Sequence, residues 1–130
     1  MELINTRIVD KDLQVFLARS AEDKYVDPYL SNLFITWEVD HIEDLVVAKE
    51  DGVIVGYALM LRTHPHLHLS NRDLLILYVD PKRRNQGIGS SILKALQITY
   101  PLSITAPDNN KPFIRIVNRC KFRPMEELTF

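Results

Sequence analysis

A chain of 130 residues, 46% hydrophobic and 25% charged, is long enough to build one ordinary core without staples. Its net charge of -1 gives no support for sequence-independent binding to nucleic acid or to an anionic membrane, apart from a local basic patch at Lys82, Arg83 and Arg84. One cysteine excludes an internal disulfide framework and fits a reducing compartment.

In chain order, Glu2 to Val9 is predicted as a first strand. No long apolar run accompanies it, so neither a signal peptide nor a spanning helix is expected, and a soluble, cytoplasmic protein follows. Asp10 is placed to cap a helix from about Lys11 with Leu13, Phe16 and Leu17 on one face. Asp27-Pro28 starts a second helix, on which Leu30, Leu33, Phe34 and Trp37 recur at helical spacing as core or as a cleft lining. Glu43 to Lys49 and Val53 to Leu61 read as a hairpin around the Asp51-Gly52 turn. Gly56, inside the returning strand, signals a bulge or a close approach by another segment.

Past the histidine-bearing loop at 63–71, the apolar run Leu74 to Val79 predicts a buried strand ending at Asp80-Pro81. Gln86-Gly87-Ile88-Gly89 then opens a helix whose Ile88, Ile92, Leu93 and Leu96 share a face. Pro101 stops that helix, and Leu102 to Ala106 is short enough for a fifth strand. A last helix carries Phe113, Ile114, Ile116 and Val117, with Cys120 near that face, before a short strand near Phe122 to Met125. No linker or repeat interrupts the chain, so one domain spanning 1–130 is expected.

The glycine turn carries the chemistry. Without a Cβ at Gly87 or Gly89 the backbone can curve closely around a bulky anion, and the exposed N–H groups at the helix start receive phosphate oxygens. A dinucleotide fingerprint would need a third glycine where Ile92 stands, and a Walker loop would need a Gly-Lys-Ser/Thr ending.

Val79, Pro81, Arg84, Gly87 and Gly89 together resemble the acetyl-coenzyme A binding motif of the GNAT superfamily of acyltransferases. The resemblance implies an α/β fold with a mixed, mainly antiparallel sheet flanked by helices, the motif strand and the next strand splaying apart to admit the cofactor. It implies that Arg84, Asn85, Gln86, Gly87, Ile88 and Gly89 wrap the pyrophosphate, flanked by Arg83 and Ser90. Backbone groups at Leu77 and Val79 would meet the pantetheine arm or polarise the thioester carbonyl. Asn110 and Phe122 match a second family signature, in which Val117 replaces a tyrosine and Phe113 an alanine.

Amine acylation also needs a route for the departing proton. Leu75 and Ile76 occupy positions where relatives often carry a carboxylate, which leaves Asp73 as the nearest acid on the strand, sharing a face with Leu75 and Leu77 by simple alternation. Tyr78 is the nearest phenol, on the opposite face from Leu77 and Val79. His68 belongs to a loop able to overhang the acceptor cleft, with His64 and His66 alongside, read as exposed histidines and not as a metal site. Glu38, Asp40, Glu43 and Asp44 read as a solvated turn or as an attractor for a cationic substrate. The expected function is transfer of an acetyl group from acetyl-CoA to the primary amine of a small molecule or protein, in a direct ternary complex. The alternative is a CoA-binding sensor or interaction domain with little turnover. An exposed C-terminal strand also allows a homodimer; no membrane or nucleic-acid partner is expected.

Overall fold

The computed structural model describes residues 1–22, 43–62 and 71–104. Among them a five-stranded sheet runs in the order β1 (Glu2–Thr6), β2 (Glu43–Glu50), β3 (Val53–Arg62), β4 (Arg72–Val79) and β5 (Leu102–Ile104). The first four strands are antiparallel neighbours, and β5 lies parallel to β4. Helix α1 (Lys11–Ser20) follows β1, and helix α2 (Ile88–Thr99) makes the crossover from β4 to β5. This is the expected mixed, mainly antiparallel α/β architecture.

β1 ends at Thr6 and not at Val9, because the Thr6 hydroxyl accepts from Ile8 N and donates to Ile8 O. That local pair of bonds competes with the sheet ladder and turns the chain, leaving Ile8 72% exposed while Val9 enters the core. Asp10 caps α1 as its position requires, accepting from Leu13 N at 2.9 Å.

The unbroken apolar runs of β2, β3 and β4 are explained by burial on both faces. On one face Leu13, Phe16 and Leu17 of α1 pack over Leu45, Val47, Tyr57, Leu59, Ile76 and Tyr78. On the other, Ile88, Ile92, Leu93 and Leu96 of α2 cover Val46, Ala48, Ala58, Met60, Leu74 and Val79. Each fully buried leucine or isoleucine here contributes about 1.5–3 kcal/mol by leaving water.

Two register shifts shape the sheet. One lies at Ala48/Lys49, where Val55 is the additional residue on β3 beside Gly56. The other lies opposite Leu59/Met60, where Leu75 is the additional residue on β4. Leu75 and Ile76 consequently both pack on the α1 face, and Leu77 returns to the α2 face.

Candidate active site

Among the described residues β4 and β5 pair through Arg72↔Leu102, Asp73↔Ser103 and Leu74↔Ile104. Among the described residues, no strand covers the outer edge of β4 from Leu75 to Val79. Asp80 N donates to Val55 O at 2.9 Å, so the backbone groups of Asp80 point to β3. Strand alternation then turns the N–H and C=O groups of Leu77 and Val79 outward, toward that uncovered edge. A strand edge of this kind can receive an extended amide-bearing chain.

Beyond Val79 the chain makes a one-turn 3-10 helix at Pro81–Arg83, capped by Asp80, whose carboxylate accepts from Lys82 N. Asn85 and Gly87 both take left-handed conformations, φ 65° and 80°. Asparagine tolerates that region and glycine has no side chain to clash in it. Gly87 is the N-cap of α2 and brings no capping side chain. The amides of the first helical turn have no acceptors within the helix, which suits them to an external anion. A Cβ built on Gly87 meets nothing within 4 Å, so the space over the turn is open. Asn85, Gln86 and Gly87 are exposed, Ser90 is half-buried, and Ile88 and Gly89 are buried where the helix leaves the turn.

The two arginines are engaged with the protein. Arg83 Nη1 meets Glu50 Oε2 at 3.0 Å, tying the turn to the end of β2. Arg84 Nε donates to Val79 O at 3.1 Å, and its guanidinium lies 5.4 Å from the centre of the Tyr78 ring. Both cations were expected beside the diphosphate; in the structure their contacts brace the turn and the end of β4.

Asp73 is half-buried within the pairing of β4 with β5, and Ser103 Oγ donates to its Oδ1 at 3.3 Å. Its neighbour Leu74 packs on the α2 face, so Asp73 lies on the α1 face with Leu75. The expected shared face with Leu77 is corrected here, because the additional residue at Leu75 breaks the alternation. Tyr78 also lies on the α1 face, 8% exposed, with edge-on contacts to Phe16 and a tilted contact to Tyr57 at 5.7 Å. It is part of an aromatic core layer. Tyr57 in turn donates to Ser20 Oγ, because the single Ser20 proton is given to Leu17 O. His68, Asn110, the other loop histidines and the helices expected around Phe34 and Phe113 lie outside the described residues.

Sequence reasoning missed a polar cluster on the α2 face. Asp44, 3% exposed, accepts from Arg62 Nη2 at 3.1 Å and from Arg72 Nε. Burial alone would push the Asp44 carboxyl up; hydrogen bonds and charge from Arg62 and Arg72 outweigh it and hold the carboxyl below its ordinary value of 3.8. The same hydrogen bond raises Arg62. Arg72 also lies 4.7 Å from the centre of the Tyr100 ring, whose hydroxyl accepts from Asn5. Asp44 is therefore no solvated attractor for a cationic substrate. The only hint was an acid and two arginines at matching ends of adjacent predicted strands.

A mixed, mainly antiparallel sheet with a helix against each face and a left-handed turn between β4 and α2 is an acetyltransferase-type α/β architecture. A family model described as an acetyltransferase (GNAT) domain matches residues 41–119, more than half of the chain, and the chain belongs to that family. Solved structures show the same fold. The ribosomal-protein-alanine N-acetyltransferase of Brucella melitensis biovar Abortus 2308 is 19% identical with a TM-score of 0.68, over 92% of this chain and 90% of that one. The aminoglycoside 6'-N-acetyltransferase AAC(6')-IG of Acinetobacter haemolyticus is 11% identical with a TM-score of 0.66, over 100% and 96%. AAC(6')-Iy, in complex with the bisubstrate analog CoA-S-monomethyl-acetylneamine, is 17% identical with a TM-score of 0.63, over 100% and 97%. The curated proteins returned no match. No described helix is long and apolar enough to cross a membrane.

Proposed function

We propose that this protein transfers an acetyl group from acetyl-CoA to a primary amine by direct attack in a ternary complex. The observation that carries the reading is the uncovered edge of β4 leading straight into the left-handed turn at Asn85 and Gly87. The open space over Gly87 fits a diphosphate, and the outward groups of Leu77 and Val79 fit the amides of a pantetheine arm. A CoA-based ligand bound by AAC(6')-Iy, a protein of the same fold, supports this choice.

Acetyl-CoA supplies the acyl group already activated as a thioester. The turn residues Asn85 to Ser90 hold its diphosphate with backbone N–H groups, while Arg84 keeps Val79 in place. An outward N–H of Leu77 or Val79 polarises the acyl carbonyl. Alignment of the amine beside that carbonyl lowers the barrier further.

Asp73 accepts the proton that the amine gives up. With Leu75 the additional residue, Leu77 lies three strand steps from it, about 10 Å at about 3.3 Å per residue, so the proton crosses through water. Neither Leu75 nor Ile76 offers a nearer acceptor. His68 and Asn110 keep the roles expected of them, proton relay and cofactor contact.

Calorimetry with acetyl-CoA, then thiol release measured with water alone and with spermidine, kanamycin, free lysine and an alanine-ended peptide, tests the reading. Micromolar binding with amine-dependent thiol release is expected. Binding without such release from any amine would instead make the protein a CoA-binding module. Absence of binding would overturn both readings.

A further inference from the structure

We propose that Ser103 is a positioning residue for proton removal, its hydroxyl orienting the Asp73 carboxylate across the pairing of β4 with β5. The inference rests on Asp73 being the proton acceptor of the proposed reaction. It goes further by making the first residues of β5 part of the machinery.

Three observations converge. Asp73 and Ser103 are register partners, flanked by the pairs Arg72↔Leu102 and Leu74↔Ile104. Neighbours in register share a sheet face, so Ser103 meets Asp73 on the α1 side. Both are half-buried, which leaves the carboxylate within reach of water yet partly shielded from it. The Ser103 Oγ to Asp73 Oδ1 distance is 3.3 Å, at the long end for a hydroxyl donor.

An aspartate near the start of a strand can rotate about two side-chain bonds. A donor fixed on the neighbouring strand selects one orientation of the carboxylate plane, and the parallel pairing holds that donor in place. In the reaction the amine nitrogen bonds to the acyl carbon, its N–H bond breaks and the proton passes through water to the Asp73 carboxylate. The C–S bond breaks, and coenzyme A leaves as a thiolate that takes a proton from water. Ser103 keeps its own proton throughout. After product leaves, the carboxylic acid returns its proton to solvent.

The test compares Ser103→Ala, Ser103→Thr, Asp73→Asn and the double variant, using the amine from the panel that turns over fastest. Ser103→Ala should lower kcat by about tenfold while KM for acetyl-CoA and for the amine stays within about twofold. Ser103→Thr, which keeps the hydroxyl, should restore the rate. In the Asp73→Asn background, Ser103→Ala should add less than about a twofold loss, because the two residues act as one unit. A second readout needs no turnover: the Asp73 carboxyl-carbon resonance of the protein without acetyl-CoA should move in Ser103→Ala and return in Ser103→Thr. Wild-type kcat and an unmoved resonance in Ser103→Ala, with Asp73→Asn slow, would overturn the positioning role alone. Wild-type kcat in Asp73→Asn would instead remove the proton acceptor and the inference with it.

Discussion

A Cβ added to Gly56 would lie 2.6 Å from the carbonyl oxygen of Tyr78, closer than any side chain is accommodated against backbone. The glycine thus lets β3 approach the end of β4 that carries Tyr78 and Val79. Gly56→Ala should push that end of β4 away, costing about 1–3 kcal/mol in urea unfolding. Affinity for acetyl-CoA should fall as well, because the outward amides of Leu77 and Val79 move with the strand. Unchanged stability would show that the approach is not needed.

Gly87 behaves differently. Nothing stands where its Cβ would be, but its φ of 80° disfavours any side chain. Gly87→Ala should cost only about 1 kcal/mol in stability. The larger effect should be on the anion site: a loss of about tenfold or more in acetyl-CoA affinity by calorimetry, with retention of the fold checked by circular dichroism.

The neighbouring arginines should separate in their effects. Arg84→Glu replaces the donor to Val79 O with a repelling charge beside the turn, so cofactor affinity should fall by more than about tenfold. Arg83→Gln removes only a half-exposed ion pair with Glu50, which contributes about 0–1 kcal/mol. It should change stability little and affinity by less than about threefold. Equal losses from both would argue that the side chains themselves grip phosphate in the same way.

Asp44 ties stability to pH. Its carboxyl is held below its ordinary value of 3.8 by Arg62 and Arg72, against the opposing effect of burial. A depressed carboxyl contributes stability that is fully present above the unfolded-state value and is lost as pH falls through the folded-state one. Unfolding free energies should therefore drop on acidification below about pH 4. Asp44→Asn should cost about 3 kcal/mol at pH 7, because two guanidiniums lose their counter-charge, and should remove part of that acid dependence. Denaturant titrations from pH 2 to pH 7 check both.

Much of this protein was legible locally. The Asp10 cap, the Asp51-Gly52 hairpin, the apolar run into Asp80-Pro81 and the glycine turn each depend on residues close in sequence. Gly56 signalled both the bulge and the close approach that the sheet contains. What was not legible depends on register. The Leu75 bulge cannot be read from Leu-Leu-Ile-Leu, since every residue of that run suits either face, and it alone decides that Asp73 and Leu77 face opposite ways. The Asp44 cluster needed three strands placed side by side before its charges could be matched.

By itself the sequence determined the cap of α1, the hairpin of β2 and β3 and the glycine turn before α2, because caps, glycine conformations and apolar runs act over a few residues. Only the tertiary structure decided which side chains share a face and what the arginines hold. It paired β4 with β5 from Arg72↔Leu102 to Leu74↔Ile104, with no strand among the described residues on the edge of β4 beyond. Strand pairing brings together residues about 30 positions apart, such as Asp73 and Ser103, and a one-residue slip reverses every assignment of face. The turn at Gly87 was therefore visible at once, while the contact between Asp73 and Ser103 had to wait for the sheet.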